Sequence, residues 1–223
     1  MKKNYYLFQM KTDLLNGLSL LILFILLALL YIIYGNGIVD ILNKGFALTF
    51  IFMIPYFILH EVFHSLAYCM YGANFKSITY GAHLEKGVLC CLCKQNISRK
   101  NILISLLYPF IFLGVIILKI GMIFKIYPLI LLSIMNISGC AGDFIMFYDL
   151  VKLSGYEFSE YDNPIAFGLY TSKDLSKVNL PGLKYVGRES NLKRTTNKKI
   201  DVSKESIIYF IIFIILGLIN LFL

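Results

Sequence analysis

The sequence predicts an all-α membrane protein of about five transmembrane helices, with a small β-prone cytoplasmic loop after the second. Three observations predict it. The composition is 58% hydrophobic, against roughly 45–50% in ordinary soluble domains. The excess is gathered into long runs that a soluble chain of this size has no core to bury. The basic residues, finally, collect in alternate connections between those runs, as they do when one side of a membrane is cytoplasmic.

The runs come in order. Residues 18–34 carry no charge, and a span needs about 20 mostly apolar residues. That run exceeds the roughly 7–15 residues of a signal-peptide core and lacks a small-residue cleavage site after it, so it reads as a retained helix. Residues 46–71 form the second run, broken only by His60, Glu61 and His64. Residues 102–118 form the third, 127–148 the fourth with Asp143 inside it, and 207–223 the fifth. The expected organisation is a single membrane domain, 1–223. Residues 149–205 make a cytoplasmic loop within it, either a small folded appendage or an irregular tail. Between the second and third runs, Phe75, Ile78 and Tyr80, then Val88, Leu89 and Leu92, predict short strands around the turn-prone Gly81 and Gly87.

The net charge of +8 invites a nucleic-acid partner, but its placement argues for a membrane. Of the 21 basic residues, all but Lys44, Lys119 and Lys125 fall in the N-terminal segment, residues 72–101 or residues 149–205. Five spans put those three segments on one side, so the protein is expected to be multi-pass in the cell membrane, N-terminus cytoplasmic and C-terminus outside. The stretch with Lys193, Arg194, Lys198 and Lys199 then reads as a solvated loop that meets anionic lipid, not as a nucleic-acid site. Of the five cysteines, Cys90, Cys91 and Cys93 face the reducing cytosol on this topology. Their cluster is a minor metal-site candidate, because it lacks the second half of a zinc-ribbon pattern.

The sharpest feature is His60-Glu61-Val62-Phe63-His64, an H-E-x-x-H within an apolar helical run. Residues four apart share a helix face, so both imidazoles can ligate one Zn²⁺ while the glutamate serves as general base toward water. Structural histidines are the bland reading. Against it, two of only three histidines fall in this motif, and an ionisable residue in a span costs about 2.5–3.5 kcal/mol. A catalytic zinc wants a third protein ligand and an open position. Asp143 is the candidate, as an acidic residue well inside another run at a depth matching His60 if both runs cross in the same direction. Gly139 and Gly142 would let that helix approach a neighbour closely. The alternative is an Asp143 that merely caps the run. His83 is the competing ligand and Glu85 shares its loop; both read more simply as surface residues. Asn136, two turns before Asp143, either holds substrate backbone or bonds across helices.

These residues resemble the three-helix core of site-2 proteases: an H-E-x-x-H span, a β-prone loop, an intervening span and a span with an aspartate. The resemblance implies His60, His64 and Asp143 as ligands and Glu61 as base, with cleavage in or near the membrane. Residues 136–143 depart from that group's pattern, with neither its proline nor a glycine after the aspartate. A nearer resemblance is to the bacterial putative zincin peptidase family. It rests on the zinc motif, Cys91-x-Cys93 leading to Ile97-Ser98-Arg99-Lys100, Tyr108-Pro109-Phe110, Ser138-Gly-x-x-Gly-Asp143, Asp162-Asn163-Pro164 and Gly168, over roughly residues 45 to 172. It implies a zinc peptidase and names no substrate.

The expected function is therefore an intramembrane zinc metalloprotease. Zn²⁺ is its cofactor, and its partners are the bilayer and a peptide or membrane-protein substrate that the β-prone loop could hold by strand addition. The alternatives are a metal-ion transporter and a zinc-binding membrane protein without proteolytic activity. Several metal sites along a path would mark the first, and the intact Glu61 argues against the second.

Overall fold

The computed structural model of the chain describes residues 4–83, 88–93, 95, 97–153, 156–163 and 166–189. The fifth apolar run, 207–223, lies outside them, as does the part of 149–205 beyond 189.

Helices dominate the described chain. After strand β1 (Asn4–Met10) come α1 (Thr12–Tyr34) and α2 (Ile38–Met70), joined by a 3₁₀ turn at Gly35–Gly37. Strands β2 (Ile78–His83), β3 (Val88–Cys93) and β4 (Ile97–Ser98) follow. Next are α3 (Arg99–Pro109), a π-helix (Phe110–Ile116) and α4 (Ile117–Phe124), then α5 (Tyr127–Gly139) and α6 (Ala141–Lys152). Strands β5 (Tyr156–Asn163), β6 (Ala166–Thr171) and β7 (Leu183–Glu189) close the described part. Three helical stretches are long and apolar enough to cross a membrane: Thr12–Met70, Arg99–Phe124 and Tyr127–Lys152. The first holds two of the expected runs and is interrupted where Gly35 takes φ +53°, a conformation glycine adopts without penalty. Large apolar side chains on α1 stand outward, with Phe24 66% and Ile32 76% exposed. In water that would be a large apolar patch; in lipid it costs nothing.

The chain divides into two compact units. Among the described residues the first comprises 4–15, 61–108 and 142–189. Its centre is an antiparallel sheet of order β4-β5-β6-β1-β7. Tyr6 and Phe8 alternate along β1 into a core with Tyr68, Ile102, Leu106, Leu150 and Leu169. Tyr5, on the other face, lies over Gly168, where a Cβ would stand 2.1 Å from its ring. That contact gives the glycine a physical reason. Lys11 donates to the carbonyls of Leu180 and Pro181, and Asp149 accepts the Gly182 amide, so the approach to β7 is held from both sides. Arg99 donates to the Leu150 and Val151 carbonyls near the end of α6, where helix carbonyls lack backbone partners.

This sheet corrects the all-α expectation. The β2–β3 hairpin is the β-prone loop, with strands where the sequence places them. The residue 149–205 loop is a folded appendage as far as 189, and the N-terminal segment is its missing strand, inserted between β6 and β7.

The second unit comprises 16–60 and 109–141 among the described residues. Contacts fix its helix directions. Along α2, Thr49, Tyr56 and His60 meet Pro128, Ser133 and Asn136 in turn, so α2 and α5 run parallel. On α1, Ser19 meets Ser138 while Leu30 joins Ile130 in one core cluster, so α1 runs the opposite way. Of the expected glycine pair one packs closely, and glycines outside the pair do so as well. Gly139 has only Phe57 at 3.8 Å, whereas a Cβ at Gly114 would meet Ile137 at 2.7 Å and one at Gly121 would meet Ile130 at 3.0 Å. In the first unit, Gly142 is tight, with Leu15 at 3.3 Å.

Candidate metal centre

His60, Glu61 and His64 lie on α2, and all three are buried. The helix continues through this segment, so the spacing of four sets the two imidazoles one above the other. Asp143 stands in the first turn of α6, where a helix N-terminus favours a carboxylate. The helix breaks just before it, with Cys140 closing α5 through a bond to the Asn136 carbonyl. The fourth run is thus two helices, and Asp143 begins the second.

The ligand atoms of His60, His64 and Asp143 all lie within 4.8 Å of one another, and this is the one such group of metal-binding side chains among the described residues. His64 Nε2 is 3.3 Å from an Asp143 carboxylate oxygen. Two donors about 2.0–2.1 Å from a tetrahedral zinc sit roughly 3.3–3.4 Å apart, so the pair has the spacing of neighbouring ligands. The far side of the His64 ring agrees. Its Nδ1 is 2.9 Å from the backbone carbonyl of Ser105, which can only accept. Nδ1 therefore carries a hydrogen, and in the neutral imidazole Nε2 is left with the lone pair that a metal ligand needs. A metal-bound histidine commonly donates its other ring N–H in this way. His60 Nδ1 lies 2.9 Å from the side-chain oxygen of Asn136. The donor set of two imidazoles and one carboxylate suits zinc.

Asn136 is in place but fully buried, with its amide occupied by His60, Pro109 and Cys140. His83 ends β2, and its side chain lies outside what the structure describes, as does Glu85. The cysteines are free thiols and none joins the group. Burial pushes the Cys91 thiol well up, with the nearby Glu61 charge adding to the effect, which disfavours the thiolate. Near the end of the same helical turn series, Tyr80 of the hairpin donates to Ser65, the residue after His64.

Sequence reasoning missed Ser105. A signal was present: Pro109 has no N–H to return to the carbonyl four residues earlier, and that carbonyl belongs to Ser105. A proline in an apolar run next to a run with buried histidines therefore marks a carbonyl to which a second helix can donate.

Fold and site together define a class: a largely helical chain with membrane-length apolar helices and a buried His–His–Asp group able to hold a metal. Residues 50–154 match the family model described as "Putative zincin peptidase". No curated protein and no solved structure matches the chain.

Proposed function

We propose that this protein is an intramembrane zinc metalloprotease that cuts a peptide or membrane-associated protein near the cytoplasmic face. The observation that carries the reading is the His60–His64–Asp143 group, with His64 Nε2 beside an Asp143 carboxylate oxygen and its Nδ1 engaged by the Ser105 carbonyl. His60, His64 and Asp143 would hold the metal. When bound, Zn²⁺ supplies the Lewis acidity that makes water a nucleophile near neutral pH. Glu61, between the two histidines on the same helix, would serve as the general base that accepts a proton from the attacking water and hands it to the leaving amine. The scissile peptide has to be extended, because a helix hides its peptide bonds, and the β2–β3 hairpin is the element we assign to holding it.

The sheet supports the membrane topology. β1 precedes α1 and α2, β4 separates α2 from α3, and β5 follows α6. Strands of one hydrogen-bonded sheet lie on one side of a bilayer. An even number of crossings therefore separates β1 from β4 and β4 from β5, as two spans each would give. The excess of Lys and Arg in these segments makes that side cytoplasmic.

The experiment is cleavage of an unfolded protein such as casein by the purified chain in detergent, with Glu61→Gln alongside. Zinc-dependent cleavage by the wild type, stopped by a chelator and absent in the variant, is expected. Zinc bound by both with cleavage by neither would favour a zinc-binding membrane protein without proteolytic activity.

A further inference from the structure

We propose that Asn136 is a positioning residue for the metal ligand His60, and that the backbone carbonyl of Pro109 sets its orientation. The proposal rests on the zinc reading above and adds a role that the motif does not contain.

An amide side chain has a donor end and an acceptor end of nearly the same shape, and only its partners tell them apart. Asn136 is 0% exposed, so those partners are protein atoms. One end lies 3.2 Å from the Pro109 carbonyl, which can only accept, so that end is the NH₂ group. Its second hydrogen faces Cys140 Sγ at 3.8 Å. The other end must then be the carbonyl oxygen, which lies 2.9 Å from His60 Nδ1. An acceptor there requires the hydrogen on Nδ1, and a neutral imidazole then leaves its Nε2 lone pair for a metal. Turning the amide over would set its oxygen against the Pro109 carbonyl and force the His60 hydrogen onto Nε2, where it blocks ligation. Pro109 thus selects the His60 tautomer through Asn136.

The same geometry explains why an amide stands here. A carboxylate would also accept from His60 but would present its second oxygen to the Pro109 carbonyl, in a place where burying charge is costly. An apolar residue would take the acceptor away from His60 Nδ1 and a donor away from the Pro109 carbonyl, both buried in the protein. The parallel register of α2 and α5, through Tyr56 with Ser133 four residues before His60 and three before Asn136, brings the two side chains level. With both ends of its amide engaged inside the protein and the residue fully buried, Asn136 takes a positioning role in place of the expected substrate-binding one.

The test uses the full chain in detergent, metal-free and labelled with ¹⁵N-histidine; with three histidines in the sequence the imidazole signals are few. The wild type should show His60 protonated on Nδ1. Asn136→Leu should lose that preference and bind zinc about 10–100-fold more weakly in competition with a chelator. A wild-type His60 that carries its hydrogen on Nε2 overturns the proposal without reference to any variant or to its folding. So does an Asn136→Leu protein that holds zinc with wild-type affinity while its peptide KM rises, the signature of a substrate-binding amide. Wild-type protein that takes up no zinc would overturn the metal reading itself and this proposal with it, a result distinguishable from either of the others.

Discussion

The backbone carbonyl of Ser105 accepts the Nδ1 hydrogen of His64 at 2.9 Å, and the residue four positions later on that helix is Pro109. An ordinary residue at 109 would return an N–H to this carbonyl and compete with the imidazole. Pro109→Ala restores the competitor and keeps the 109 carbonyl that Asn136 uses. The helix should gain stability, since proline costs about 3 kcal/mol in a helix interior. Zinc affinity should fall by about tenfold, the low end for loss of a ligand's outer partner. Chelator competition and thermal unfolding, read together, check this; a stabilised protein with unchanged zinc affinity would separate Pro109 from the site.

Purified protein should carry about one zinc per chain, and His60→Ala, His64→Ala or Asp143→Ala should each remove most of it, since structural replacements for a missing ligand are lacking in a buried site. His83→Ala should leave zinc unchanged. Metal analysis of the four variants decides the third ligand: retention in Asp143→Ala with loss in His83→Ala would reverse the assignment.

Glu61→Gln should keep zinc and the fold and lose activity by about 10²–10⁴-fold, the usual contribution of a general base. Unchanged cleavage of a native substrate by this variant, with zinc content measured on the same preparation, would remove Glu61 from the chemistry and move the reading toward metal transport.

Gly168→Ala should destabilise the sheet unit by about 1–3 kcal/mol, the cost of overpacking a filled site. The new methyl would fall on the Tyr5 ring, which is itself packed against Tyr170. Combined with Tyr5→Ala the penalty should vanish, because the obstruction is gone. Proteolytic resistance of the sheet unit reports both effects, and a full penalty in the double variant would show that Gly168 serves another purpose.

Single-cysteine reporters at Gln95 and Lys184 should be shielded from impermeant thiol reagents in intact cells, while one at Asn36 should react. Gln95 adjoins the sheet through β4, and Lys184 lies in β7. Asn36 sits in the turn joining α1 to α2. The reverse labelling would place the sheet outside and turn the proposed site with it.

Much of this protein is legible in its sequence because the relevant signals are local. Apolar runs long enough to span a bilayer, two histidines with a glutamate at helical spacing and the short strands after them are each written within a few turns of chain. The alternating excess of Lys and Arg needs only a count. What the tertiary structure decided depends on residues far apart. The sheet needed β1 to lie between strands more than 150 residues later, and no local pattern announces a partner at that distance. The alternation in β1 is short and borders the first apolar run, so it is hidden by it. Asn136 and Ser105 look interchangeable with other polar residues in apolar helices until their partners are known. Whether an amide holds a substrate or a ligand, and which carbonyl receives an imidazole hydrogen, depends on which atoms come within about 3 Å, and only the packing of one helix against another determines that.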